Sequence, residues 1–129
     1  AVQNFMDLYP KSAKKDEINK IYQDLKWKLA KKQFESANVY RRISEYEAAI
    51  VYYDQIITDY FDSPFVAKAK FWKGYCNYKI EEFQKASLIL KRFIDDYPLE
   101  KDLVKDAQEI LTEIKKKQAG IKTVVSDKN

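Results

Sequence analysis

The sequence predicts an all-α fold, a solenoid of antiparallel helix hairpins, and three features carry that prediction. The first is punctuation: the 129 residues include only two glycines and three prolines, with neither type between Pro10 and Pro64. Strands joined by tight hairpins have nowhere to turn in such a stretch. The second is a phrase used three times. "MDLYPKSA" at 6–13, "ITDYFDSP" at 57–64 and "IDDYPLEK" at 94–101 each read apolar, two residues, tyrosine, then proline or phenylalanine, and each closes an apolar stretch. The third is an internal repeat with a period of 37 residues: "EYEAAIVYYDQIITDYFDS" (45–63) lies over "EFQKASLILKRFIDDYPLE" (82–100).

In that register Tyr46 falls on Phe83, Ala49 on Ala86, Tyr53 on Leu90, Ile56 on Phe93, Tyr60 on Tyr97 and Ala37 on Gly74, so small meets small and bulky meets bulky. Small residues at Ala37, Ala49, Gly74 and Ala86 let antiparallel helices approach closely, while the large ones fill the space beside them. This is the tetratricopeptide (TPR) pattern, and it predicts a TPR-like helical repeat.

Element by element, the phrase at 6–13 ends a partial repeat (1–12). From Ser12, read as an N-cap, to Ile43 there is no breaker, and Ile18, Ile21, Leu25, Leu29, Phe34 and Ala37 recur at three- to five-residue steps. One long helix over about 13–43 follows, with 14 residues more than the repeat requires, about four turns, so that it protrudes beyond a standard hairpin. Repeats are placed at about 28–63 and 65–100. Pro98 stops the second; in the first the stop passes to "DSP" at 62–64, with Ser63 as N-cap and Pro64 at the first helical position. Phe61, standing where the other phrases have proline, either fills an inter-helix groove or lies exposed as a partner contact. An end helix over 102–118 is capped by Asp102, buries Leu103, Ala107, Ile110, Leu111 and Ile114, carries "KKK" at its C-terminal pole and stops at Gly120. Residues 119–129 are expected to be a flexible tail, leaving 1–118 as a single domain.

The stretch "KLAKKQFESANVYRRISEYEAAIVYYDQIITDYFDSP" (28–64) is more specific than TPR. It resembles BamD, the lipoprotein family of outer-membrane protein assembly, at Leu29, Ala30, Lys32, Phe34, Ala37, Tyr40, Arg42, Tyr46, Ala48, Ala49, Asp59, Tyr60, Asp62 and Ser63. The resemblance covers residues 1–115, as the C-terminal repeats of that family, and the longer helix fits it. It implies a scaffold at the periplasmic face of the outer membrane, lipid-anchored through an upstream cysteine. That scaffold docks onto the POTRA domains of the barrel protein BamA, beside other lipoproteins of the assembly complex, with outer-membrane protein substrates as further partners. Two departures stand out: Val51–Tyr52 replaces an Asn-Arg pair, and Ile43–Ser44 replaces the glycine that follows the arginine in relatives. Arg41, Arg42, Tyr52, Phe61 and Phe65 are the candidate partner-binding residues. For Arg41 and Arg42 the competing role is local, pairing with acids such as Glu45 and Glu47.

Composition narrows the rest. No histidine occurs, which removes His-based triads and the zinc-protease motif, and no glycine-rich phosphate loop is present. The adjacent acids Glu81–Glu82 and Asp95–Asp96 do not face each other across a substrate. The one cysteine, Cys76, reads as an inert core residue, and Trp27 and Trp72 as core or groove anchors. An enzyme is the least expected class, and no cofactor is implied. The formal charge of +4 is spread in mixed sign; residues 37–66 hold two arginines against five acids, where a nucleic-acid binder would show one concentrated basic face. The alternatives are another periplasmic or cytosolic TPR adaptor and, behind it, a nucleic-acid-binding helical repeat.

Overall fold

A computed structural model of the chain describes residues 14–127, with side chains to 120. Five helices follow one another: α1 (Lys15–Arg42), α2 (Tyr46–Asp59), α3 (Val66–Lys79), α4 (Phe83–Asp96) and α5 (Lys101–Asp127). No strand occurs among the described residues. Each helix packs on the next, and α3 also touches α5, so α1, α3 and α5 form one layer and α2 and α4 the other. That is the two-layer stacking of a helical repeat.

The 37-residue register is copied in the backbone itself. Ala49, Tyr53 and Ile56 are buried in α2, and their counterparts Ala86, Leu90 and Phe93 in α4. The turns between paired helices are also copies. Ser44 and Glu81 both adopt φ 65°, the only non-glycine residues at positive φ among those described. At the first turn the Glu45 N–H donates to the Tyr40 carbonyl (2.8 Å) and the Ser44 N–H to that of Arg41 (3.0 Å). At the second, Glu82 donates to Asn77 (2.9 Å) and Glu81 to Tyr78 (3.0 Å). These are two Schellman closures, which satisfy the orphan carbonyls of α1 and α3 and set the hairpin angle. A side chain in left-handed backbone is strained. Ser44→Gly and Glu81→Gly are therefore each expected to stabilise the fold by about 0.5–1 kcal/mol, seen as a higher urea midpoint. A lower midpoint would show that these side chains hold the turn.

The long helix is present, 28 residues against 14 in α3. The predicted cap at Ser12 and the first terminating phrase lie outside the described residues. Lys26 fixes the level at which α2 ends: its ammonium pairs with Asp62 at 3.3 Å and lies over the Phe61 ring at 5.8 Å. The turns of α1 before Lys26 thus run past α2. The apolar positions along α1 fall into two sets. Phe34 and Ala37 pack inward with Ala30, whereas Ile21, Leu25 and Leu29 are exposed. The five-residue step from Leu29 to Phe34 turns the helix face by about 140°, so the two sets cannot share one face. Trp27, expected as an anchor, is also exposed at 36%.

The other boundaries show how caps are made. Helix α3 starts at Val66, two residues after Pro64. The cap expected at Ser63 does not hold: Phe65 occupies the N-cap position with no side-chain cap hydrogen bond, and the buried Ser63 Oγ instead accepts the Phe65 N–H at 3.3 Å in the turn ahead of the helix. Asp102 sits inside the first turn of α5 rather than before it, where its charge suits the helix dipole. The predicted face of α5 holds, with Ala107 and Ile114 buried. Its end at Gly120 does not hold, because α5 continues through Gly120 to Asp127. Gly120 has no positive φ, and a Cβ there would meet nothing within 4 Å. It is an open helical position and not a C-cap.

Candidate functional site: a groove across alpha1, alpha3 and alpha5

Two clefts in the layer of α1, α3 and α5 share Trp72 in their lining, and together they are called the groove. On one side, an open cleft of about 730 Å³ among α1, α3 and the start of α5 is lined by Arg41, Arg42, Lys68 and Lys101, with Glu100 and Asp102 among them. On the other, α3 and α5 enclose about 470 Å³ over Phe71, Trp72 and Tyr75, walled by Asp106, Glu109 and Glu113. The register explains the aromatic floor. Phe71 is the repeat equivalent of Phe34 and is buried, while Trp72 and Tyr75, one and four positions further along α3, are half-buried and turn toward the groove. The three rings lock edge to face, Phe71 to Trp72 at 4.9 Å and Trp72 to Tyr75 at 5.2 Å.

Arg41 is held by this frame. Its guanidinium stacks on Trp72 at 3.6 Å, and its Nε donates to the Tyr53 hydroxyl at 3.1 Å. Tyr53 donates in turn to the Asn38 amide oxygen at 2.5 Å. One side chain of α1 is thereby tied to α2 and α3. Neither Glu45 nor Glu47 forms an ion pair with Arg41 or Arg42 among the described residues. Arg42 is exposed on the groove and makes no ion pair there.

The other candidates lie elsewhere. Tyr52 stacks on Tyr40 at 5.2 Å, and its hydrogen bond and charge hold the Tyr40 hydroxyl above its ordinary value. Phe65 stacks on Phe34 at 5.5 Å, half-buried inside the repeat. Phe61 is 68% exposed at the end of α2, away from the groove. The five therefore form no single patch. Trp72 was legible as an anchor in the sequence. The carboxylates of α5 were not singled out, because acids at 106, 109 and 113 look like any solvated helix face until α3 is placed opposite them.

Burial pushes the Cys76 thiol up to about 12 against a slight lowering by Arg41, and pushes the Tyr53 hydroxyl up to about 12 against Arg41 beside it. Both groups are favoured neutral in the fold, while the unfolded chain ionises them near 9.0 and 10.0. Above those values the unfolded state holds fewer protons, so stability falls with rising pH. Urea midpoints are expected to stay level up to about pH 9 and then decline toward pH 12, a window set by these two shifts. A level profile throughout would contradict the burial of both groups. No set of three or more His, Cys, Asp or Glu residues among those described could hold a metal ion, and no described helix is long and apolar enough to cross a membrane.

No known protein family matches the chain, and no curated protein matches it at a significant level.

Proposed function

We propose that the chain is a non-enzymatic docking scaffold whose partner lies in the groove along α1, α3 and α5. The observation that carries this reading is the ordering of the groove before any partner arrives. Trp72 is clamped by two rings and by Arg41, and Arg41 by Tyr53. Side chains that are already fixed lose little entropy on binding. The exposed cations Arg42, Lys68 and Lys101 then supply charge to a surface whose apolar part is rigid.

The finer reading is that of the sequence resemblance: the C-terminal repeats of a BamD-like lipoprotein, docking onto BamA POTRA domains at the periplasmic face of the outer membrane. It is supported by the repeat register, the 14-residue extension of the long helix and the residues of 28–64. Calorimetric titration with POTRA domains from the same organism tests it. Saturable binding that weakens about three- to tenfold for Arg42→Glu is expected, the loss typical of one or two exposed charge contacts. Arg42 is the position to change, because its reversal leaves the Arg41–Trp72 stack intact. Absence of heat with a folded, concentrated protein would remove this partner.

A further inference from the structure

The half of the groove between α3 and α5 is built differently from the half beside Arg42. Its volume of about 470 Å³ lies within the usual range of ligand clefts, about 300–1,000 Å³. Its floor is aromatic and its wall is negative. Asp106, Glu109 and Glu113 stand at i, i+3 and i+7 on one face of α5, directly across from Phe71, Trp72 and Tyr75. Asp106 and Glu109 make no ion pair among the described residues. Among the described residues Glu113 pairs with Lys116 alone, one turn away at 3.6 Å, an exposed pair that an incoming charge displaces easily.

We propose that this cavity receives a cationic side chain, an arginine in preference to a lysine, presented by a partner polypeptide. The chemistry is that of a cation over π-faces with carboxylates at its edge. Phe71 is buried and Arg41 already covers Trp72 from α1, so an incoming planar guanidinium lies against the Tyr75 end of the floor while its N–H groups reach the wall, which an ammonium cannot do equally well. A metal ion does not fit, because these acids are too spread to converge on one centre. A phosphate backbone does not fit either, since the wall repels it. The two halves of the groove then differ in net sign: four cations (Arg41, Arg42, Lys68, Lys101) against Glu100 and Asp102 on one side of Trp72, and Asp106, Glu109 and Glu113 with no cation in the lining on the other. A docked segment is read in one direction, acid toward α1 and base toward α5. This inference deepens the docking reading and rests on it, but its test needs no partner protein.

The two tryptophans supply the readout. Trp72 lines the cavity, and Trp27 lies exposed on α1 outside it. Short capped glycine–serine peptides carrying one arginine, one norleucine or one glutamate are titrated into the labelled protein while both indole N–H resonances are followed. The arginine peptide is expected to shift Trp72 saturably and Trp27 not at all. The norleucine peptide should bind about tenfold more weakly, and the glutamate peptide should leave Trp72 still. Adding salt, or the exposed double variant Asp106→Asn with Glu109→Gln, should remove the response to arginine. Equal shifts from norleucine, no shift from any peptide, or an unchanged response in the folded double variant would each overturn the proposal. Failure of POTRA binding with the arginine response intact would remove the named partner and leave this site standing.

Discussion

Replacing Gly74 with alanine is expected to destabilise the fold by about 1–3 kcal/mol, although alanine is the better helix former by about 1 kcal/mol. The two effects have opposite sign, so the measurement decides between them. Gly74 lies in the middle of α3, facing α4. A Cβ there would stand 2.6 Å from Cδ2 and 2.8 Å from Cγ of Leu90, with Ile89 Cγ2 at 3.1 Å. Leu90 is fully buried in the cluster with Phe71, Phe93 and Ala107, so it has no free space to swing into. Relief would require α3 and α4 to separate along their contact. In the first repeat the same position is Ala37, and there the facing residue is Tyr53, a flat ring in place of a branched tip. Pairing Gly74→Ala with Leu90→Val is expected to cost less than the sum of the single changes, because the trimmed side chain yields room for the methyl. A urea midpoint for Gly74→Ala equal to or above that of the wild type would mean that the helices are not held at this contact.

This position also shows what the sequence reveals and what it conceals. Small-to-small and bulky-to-bulky pairing at a 37-residue offset is a pattern of volumes, and volumes are carried by residue identity. The register, the close approach at Gly74 and the buried face of α5 were therefore readable in advance. The turns were not. Left-handed backbone is announced by glycine or asparagine, and here it falls on Ser44 and Glu81, which are placed there by the packing of the flanking helices. Gly120 misled in the opposite sense, since glycine permits a helix end without imposing one. The spacing along α1 identifies the long helix but not its buried face, because the five-residue step from Leu29 to Phe34 turns that face by about 140°. The candidate site was less legible than the fold. The α5 carboxylates become a wall only when α3 lies across from them, a relation between helices that no local periodicity contains. The two adjacent arginines have different fates because neighbouring helix positions differ by about 100°. Arg41 turns toward Trp72 and Tyr53, and Arg42 faces solvent.

Truncating Arg41 to alanine is expected to lower stability by about 2–3 kcal/mol, from loss of a stacked cation and of a hydrogen bond to a buried hydroxyl. Tyr53 would keep Asn38 as its acceptor but lose the guanidinium that donates to it. Trp72 would lose its cover and with it the fixed geometry at the centre of the groove. Arg41→Lys is expected to recover little, because an ammonium cannot stack flat on the indole while also serving Tyr53. Tyr53→Phe removes only the polar link, so its cost should be smaller than that of Arg41→Ala and should not add fully to it. The same variant changes binding indirectly: Arg41→Ala weakens any partner by loosening Trp72, whatever the charge of that partner. Arg42→Glu should leave stability within about 0.5 kcal/mol of the wild type, as exposed substitutions do, and alter only charge-dependent docking. Urea denaturation of the three variants beside Arg42→Glu separates the roles. Equal stability of Arg41→Ala and Arg42→Glu would show that the stack on Trp72 contributes nothing to the fold, and both arginines would then be surface charges available to a partner.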